Sequence, residues 1–151
     1  MSLPGHAVAE LLRTVTEKGK SIQLRVGGSS MHPIIRDQDV VTVAPLNGVS
    51  PGFGDVVSFE RPNTKKLTIH RIIQKKQRRY LVKGDNSIKA DGFVSLPDII
   101  GRVTRIERND HKVHFGLGPE RTIIALLSRR TALYSFLYPI LKRFRPLIKR
   151  K

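Results

Sequence analysis

Three short stretches of this chain hold residue types that together could break an amide bond. They are Ser29-Ser30-Met31-His32-Pro33, Ile69-His70-Arg71-Ile72, and the run from Lys83-Gly84-Asp85-Asn86 to Asp91. A serine hydroxyl is a poor nucleophile at neutral pH unless a neighbouring base takes its proton. An imidazole changes charge near neutral pH, so His70 is the candidate base. A third group normally fixes the imidazole's tautomer and stabilises its charged form, and both Asp85 and Asp91 lie in the third stretch. Taken alone, Gly27-Gly28-Ser29-Ser30 reads as a surface loop, and a lone histidine on a strand as a structural residue. Only their company points to hydrolysis.

The elements around these stretches can position them. Ile22, Leu24 and Val26 alternate with polar residues and predict a strand that runs into Gly27-Gly28. Two glycines let the chain turn sharply there and present Ser30 at the strand's end. Pro33 keeps His32 out of a helix. A strand over residues 39 to 44 follows the Arg36-Asp37-Gln38-Asp39 turn. Another, over Asp55 to Glu60, connects through Arg61-Pro62-Asn63-Thr64 to a strand over Lys66 to Lys75 that contains His70. Tyr80 to Lys83 and Ile99 to Glu107 complete the sheet, with Lys112 to Phe115 as an edge strand. Val8, Leu11, Leu12 and Val15 recur at helical spacing before Lys18-Gly19, which predicts a helix over residues 5 to 18. The expected fold is mainly β: coiled antiparallel sheet with a short N-terminal helix (residues 1–20), a β-domain (21–115) and a basic amphipathic helical tail (116–151).

In this order the motifs resemble the signal peptidase I family of serine proteases, in the Ser/His branch found in the endoplasmic reticulum, in archaea and in some bacteria. The common bacterial branch has lysine where His70 stands. The resemblance runs from about Ile22 to Arg108. It passes through Gly28-Ser-Ser-Met-His-Pro33, Gly54-Asp-Val-Val57, Ile69-His-Arg-Ile72, Lys83-Gly-Asp-Asn86 and Ile100-Gly-Arg-Val103. It implies Ser30, rather than Ser29, as nucleophile, His70 as base and Asp91 as acidic partner. Asp85 is then a loop-shaping residue and the alternative partner. Gly28, Ser29, Met31, Arg71 and Asn86 fall at site-shaping positions. The resemblance also implies a peptide or protein substrate with small residues before the cut, and no cofactor or metal. Two departures stand out. Many bacterial members carry a serine at the position of Gly28, whose hydroxyl helps to hold the oxyanion; here the backbone N–H of Ser30 must do more. Members also normally have a transmembrane helix before the Ser-Met motif, and no window here approaches the roughly twenty apolar residues of a span.

Composition narrows the remaining choices. The chain of 151 residues, 39% hydrophobic, suits one domain with a real core. The absence of cysteine excludes disulfides, thiol catalysis and cysteine-bound zinc, and fits a reducing compartment. The N-terminal residues lack a basic leader and a long apolar core, so no signal peptide is expected. A cytoplasmic or peripherally membrane-associated protein follows. The net charge of +16 implies attraction to polyanions, either nucleic acid or anionic lipid. From residue 120 onward Glu120 is the only acid, while positions 121, 129, 130, 142, 143, 145, 149, 150 and 151 are basic. Ile123, Leu126, Leu127, Leu133, Tyr134, Leu137, Ile140, Leu141 and Phe144 fall mostly on one stripe, with Pro139 as an expected kink. Such a helix either lies in a membrane interface or packs on the protein's own core. Lys75-Lys76-Gln77-Arg78-Arg79 reads as a solvated hairpin tip.

Other readings remain. A self-cleaving repressor-type peptidase shares the fold, but the segment before the first strand is too short for a DNA-binding domain. A nucleic-acid-binding β-domain would use the charge, yet it needs aromatic stacking positions; there is no Trp, and Tyr and Phe concentrate in the tail. An inactive scaffold is consistent with Gly28. His111 and His114, three residues apart on a strand, would face opposite ways without an acidic cluster, which reads as solvated rather than metal-binding.

Overall fold

The computed structural model describes residues 5–130 together with Ala132, Tyr138, Pro139, Ile140 and Arg143. Helix α1 (Gly5–Glu17) is followed by strands β1 (Ile22–Arg25), β2 (Val40–Ala44), β3 (Val56–Glu60), β4 (Leu67–Lys76), β5 (Arg79–Lys83), β6 (Gly92–Ser95), β7 (Ile99–Arg108) and β8 (His111–Lys112), then helix α2 (Arg121–Ser128). The strands form one antiparallel sheet in the order β1-β2-β7-β3-β4-β5-β6, with β8 on β7. The late strand β7 therefore lies between the two early hairpins β1–β2 and β3–β4.

Register shifts at Thr42/Val43, Ser58/Phe59 and Ile72/Gln74 interrupt the ladders. Such bulges increase the local twist and let a sheet coil upon itself. The coiled sheet buries side chains on both faces. Ala9 and Leu12 of α1 join Met31, Ile34, Ile35, Val41, Val43, Val56, Ile100, Val103, Ile106 and Ile124 in one cluster. Val57, Phe59, Ile72, Tyr80, Val82, Val94 and Ile99 form the other. Neighbours Val56 and Val57 serve opposite clusters, as the alternation of a strand demands. Burying both faces is why β3 reads as a nearly continuous apolar run rather than an alternating one.

The expected mainly β architecture with a short N-terminal helix is the one observed, and two details differ. Gly92–Ser95 is a strand on the outer edge of the sheet that the sequence reading did not include. It opens on Gly92 and sets Phe93 and Val94 side by side, so it carries no apolar–polar alternation to signal a strand. The edge strand expected over Lys112 to Phe115 is instead His111–Lys112, because Asn109 and Asp110 take positive φ and turn the chain directly back onto Arg108. His114 thus lies beyond the strand's end. The continuous amphipathic stripe expected from Ile123 to Phe144 falls largely outside the described residues, although Tyr138, Pro139 and Ile140 at the expected kink are described.

Candidate active site

The nucleophile candidate sits on a pinned turn. After β1 the chain reverses at Gly28, whose φ of +93 is left-handed and whose N–H donates to Asp37 Oδ1 at 2.8 Å. The Ser29 carbonyl then accepts from His32 N–H, and the Met31 carbonyl from the N–H groups of Ile34 and Ile35. Met31, Ile34 and Ile35 are buried and anchor the turn in the core. Arg108, at the end of β7, grips its far side: it donates to both carboxylate oxygens of the buried Asp39 and to the Ile34 carbonyl. Ser30 is held at the surface of this frame. No hydrogen bond engages its N–H among the described residues.

On β4, consecutive side chains point to opposite faces. His70 faces the turn and Arg71 faces away from it. His70 Nε2 lies 3.0 Å from Ser30 Oγ, and His70 Nδ1 is hydrogen-bonded to Asp91 Oδ2. A carboxylate only accepts, so Nδ1 carries the proton and Nε2 is left to accept from the Ser30 hydroxyl. The Phe59 ring packs at a tilt beside the imidazole, with centroids 6.2 Å apart. Asp91 also accepts from Arg61 Nη2 at 2.7 Å, and Arg61 Nε donates to Thr68 Oγ1. Burial raises the Asp91 carboxyl's affinity for a proton, but the His70 hydrogen bond and charge, with Arg61, outweigh it. The group is held below its ordinary pKa.

The loop after β5 reaches both sides of β4. Asp85 is fully buried beneath Arg71, which forks onto it through Nε and Nη2, each at 2.8 Å. The remaining Arg71 donor, Nη1, satisfies the carbonyls of Gly54 and Gly116. The Asp85 N–H meets Met31 Sδ, Asn86 N–H donates to the Ser30 carbonyl at 2.8 Å, and Asn86 Nδ2 donates to the Ser29 carbonyl at 3.1 Å. The two loops press together at Gly84: a Cβ there would lie 2.6 Å from the Ser30 carbonyl oxygen and 3.1 Å from His70 Nε2. Only glycine allows that approach. Lys83 is buried nearby with Nζ donating to the Gly84 carbonyl, and burial lowers its pKa against the opposing pull of Asp85 and Asp91.

Ser30, His70 and Asp91 thus come together in one line, and Asp85 with Arg71 forms a separate pair on the other side of the strand. Ser29, Met31 and Asn86 hold the loops around Ser30, while Gly28 sits at the turn's mouth, where a Cβ would meet nothing within 4 Å. The line opens on a groove of about 900 Å³, walled by Val8, Leu24, Val26, Leu67 and Ile69. A domain model described as Peptidase S24-like matches residues 5–104, most of the chain. The chain belongs to the Peptidase S24-like family. No curated protein matches it. Every residue of the Ser30–His70–Asp91 line and of the Arg71–Asp85 pair lies within the S24-like region, whereas α2 lies beyond it. Membership makes this a peptidase-fold protein.

Three contributors were not singled out from sequence. Arg61 was read only as part of a turn, and Phe59 as a strand residue. Glu120 accepts from the N–H groups of Gly116 and Gly118, which hold its carboxyl below the ordinary pKa, and so shapes the loop whose Gly116 carbonyl meets Arg71. Arg61 reaches Asp91 and Phe59 reaches His70 across the sheet, so no local spacing signals them, whereas Glu120 acts within its own loop and its link to the site passes through the Gly116 carbonyl.

Proposed function

We propose that this protein is a serine endopeptidase in which Ser30 is the nucleophile, His70 the general base and acid, and Asp91 the group that orients and stabilises His70. The carrying observation is the 3.0 Å approach of Ser30 Oγ to His70 Nε2 with Asp91 on the opposite ring nitrogen. As Ser30 Oγ attacks the scissile carbonyl carbon, its proton passes to His70 Nε2. The carbonyl π electrons move onto oxygen, and the Ser30 N–H is positioned to receive that negative charge. Collapse of the intermediate breaks the C–N bond, and His70 returns the proton to the leaving amine. A water activated by the same imidazole then hydrolyses the acyl-serine. Asp91 remains ionised throughout, consistent with its depressed pKa.

The substrate enters as an extended chain between β1 and β4, where Leu24 of β1, Val26 just after it, and Leu67 and Ile69 of β4 wall the groove. An extended segment can pair with exposed strand edges while its alternate side chains fill apolar pockets. The histidine at position 70 supports the Ser/His type of signal-peptidase-like chemistry over a Ser/Lys one, and small residues before the cut are the expected preference. Gly28 favours one competing reading, an inactive scaffold that lacks a second oxyanion donor. A fluorophosphonate probe separates them: rapid labelling of wild type at Ser30, absent in Ser30→Ala and His70→Ala, supports the peptidase. A protein that stays unlabelled and cuts no peptide of a randomised library is the scaffold.

A further inference from the structure

Helix α2 is apolar on two sides. Ile124, Ala125 and Ser128 are buried against the body of the protein. Ile123, Leu126 and Leu127 are 60%, 57% and 40% exposed, and they form a second, outward stripe at i, i+3 and i+4. Phe115, 53% exposed, precedes the helix. A helix with apolar residues on both sides normally has something covering each of them. The outward stripe runs directly into the exposed Arg129 and Arg130, and the sequence from Arg121 to Lys151 contains no acidic residue.

We propose that the outer face of α2 seats this protein on an anionic lipid surface. The stripe enters the acyl boundary while Arg129 and Arg130 meet headgroup phosphates, the arrangement of an interfacial amphipathic helix. A second copy of the chain is disfavoured as occupant, because each copy carries +16 and the repulsion is greatest near this basic end. Nucleic acid would match the charge and leave the apolar stripe unexplained. The helix is no loose tether. Glu120 closes the preceding loop, Arg121 Nε lies 3.2 Å from Asp55 Oδ1, and the Gly116 carbonyl is bonded to Arg71 beside the candidate site. Docking of α2 therefore fixes the groove's orientation relative to the bilayer. The proposal stands whether or not Ser30 cleaves peptides.

The test is co-sedimentation of the full chain with phosphatidylcholine vesicles, with and without phosphatidylserine, at low and high salt. The expected result is binding to phosphatidylserine-containing vesicles only, weakened by salt. The Ile123→Gln/Leu126→Gln/Leu127→Gln variant should lose about tenfold or more in affinity with an unchanged melting temperature, since those side chains touch solvent. If that variant unfolds, Leu126→Glu alone serves the same purpose. Equal binding by wild type and variant overturns the role of α2. Equal binding to neutral vesicles overturns the anionic requirement. A wild type that ignores vesicles but forms a concentration-dependent dimer, abolished by the triple substitution, assigns the face to a second copy instead.

Discussion

Two acid–base pairs stand back to back across β4. His70 and Arg71 are neighbours in sequence, and the single loop after β5 supplies a carboxylate to each: Asp91 to His70 and Asp85 to Arg71. Their surroundings differ. The His70–Asp91 side opens on the groove, keeps one ring nitrogen for Ser30, and has a guanidinium, Arg61, as the carboxylate's other partner. The Arg71–Asp85 side is sealed, with both side chains fully buried and every Arg71 nitrogen committed. A guanidinium does not lose its proton in proteins, whereas an imidazole does so near neutral pH. One pair is suited to moving a proton and the other to holding two loops in place.

The largest expected effect lies on the open side. Ser30→Ala or His70→Ala should each lower peptide cleavage by roughly 10⁵- to 10⁶-fold with little change in melting temperature, and the double variant should be scarcely worse. Steady-state rates on a cleavable peptide check this; additive losses would mean that the two do not act as a unit. Next, Asp91→Asn should reduce the rate by about 10⁴-fold while the fold persists, because the imidazole loses its orienting acceptor. If Asp91→Asn is nearly as fast as wild type and a well-folded Asp85→Asn protein is dead, the two carboxylates must exchange roles.

On the sealed side the readout is stability. Arg71→Leu leaves Asp85 buried without its partner and should cost about 3–5 kcal/mol, measured by urea unfolding at neutral pH. Arg71→Leu/Asp85→Leu should recover part of that loss, since the carboxylate and guanidinium leave together while buried Lys83 keeps Asp91 as a counter-charge. A loss for Arg71→Leu confined to cleavage, with unfolding unchanged, would erase the contrast between the pairs. The smallest effect is a pH dependence. The Asp91 carboxyl is held below its ordinary pKa, so its contribution to stability is present above that ordinary value and is lost as pH falls through the depressed folded value. Stability of wild type should therefore fall more steeply on acidification than that of Asp91→Asn; parallel curves would show that His70 and Arg61 do not hold the carboxylate.

Much of the candidate site was legible because its pieces are local. The strand read over Lys66 to Lys75 already carried His70, and the double glycine already placed Ser30 on a turn. The division of labour between Asp85 and Asp91 was not legible from residue types. It depends on the path from Gly84 to Asp91, which is set by contacts across the fold: Asn86 with Ser29 and Ser30, and Asp91 N–H with the Val82 carbonyl at the start of β6. The apolar stripe on α2 was visible too. Sequence offered core or membrane as alternatives, and could not show that Ile124, Ala125 and Ser128 fill the inner face while Ile123, Leu126 and Leu127 remain outside.

The place of β7 bears on how the protein is made. Ser30 follows the first hairpin partner β1, His70 lies on β4, and only β7 joins the two hairpins within the sheet. Before Ile99–Arg108 is in place, the hydroxyl and the imidazole sit on two hairpins that no strand joins, linked through the loop contacts of Asn86 and Asp85 with residues 29 to 31. Arg108 is also the residue that grips Asp39 and the Ile34 carbonyl, so the turn bearing Ser30 is secured by the final residue of the same strand. The geometry of the Ser30–His70 pair is in this way tied to the completion of the sheet, because its last long strand both bridges the hairpins and pins the turn.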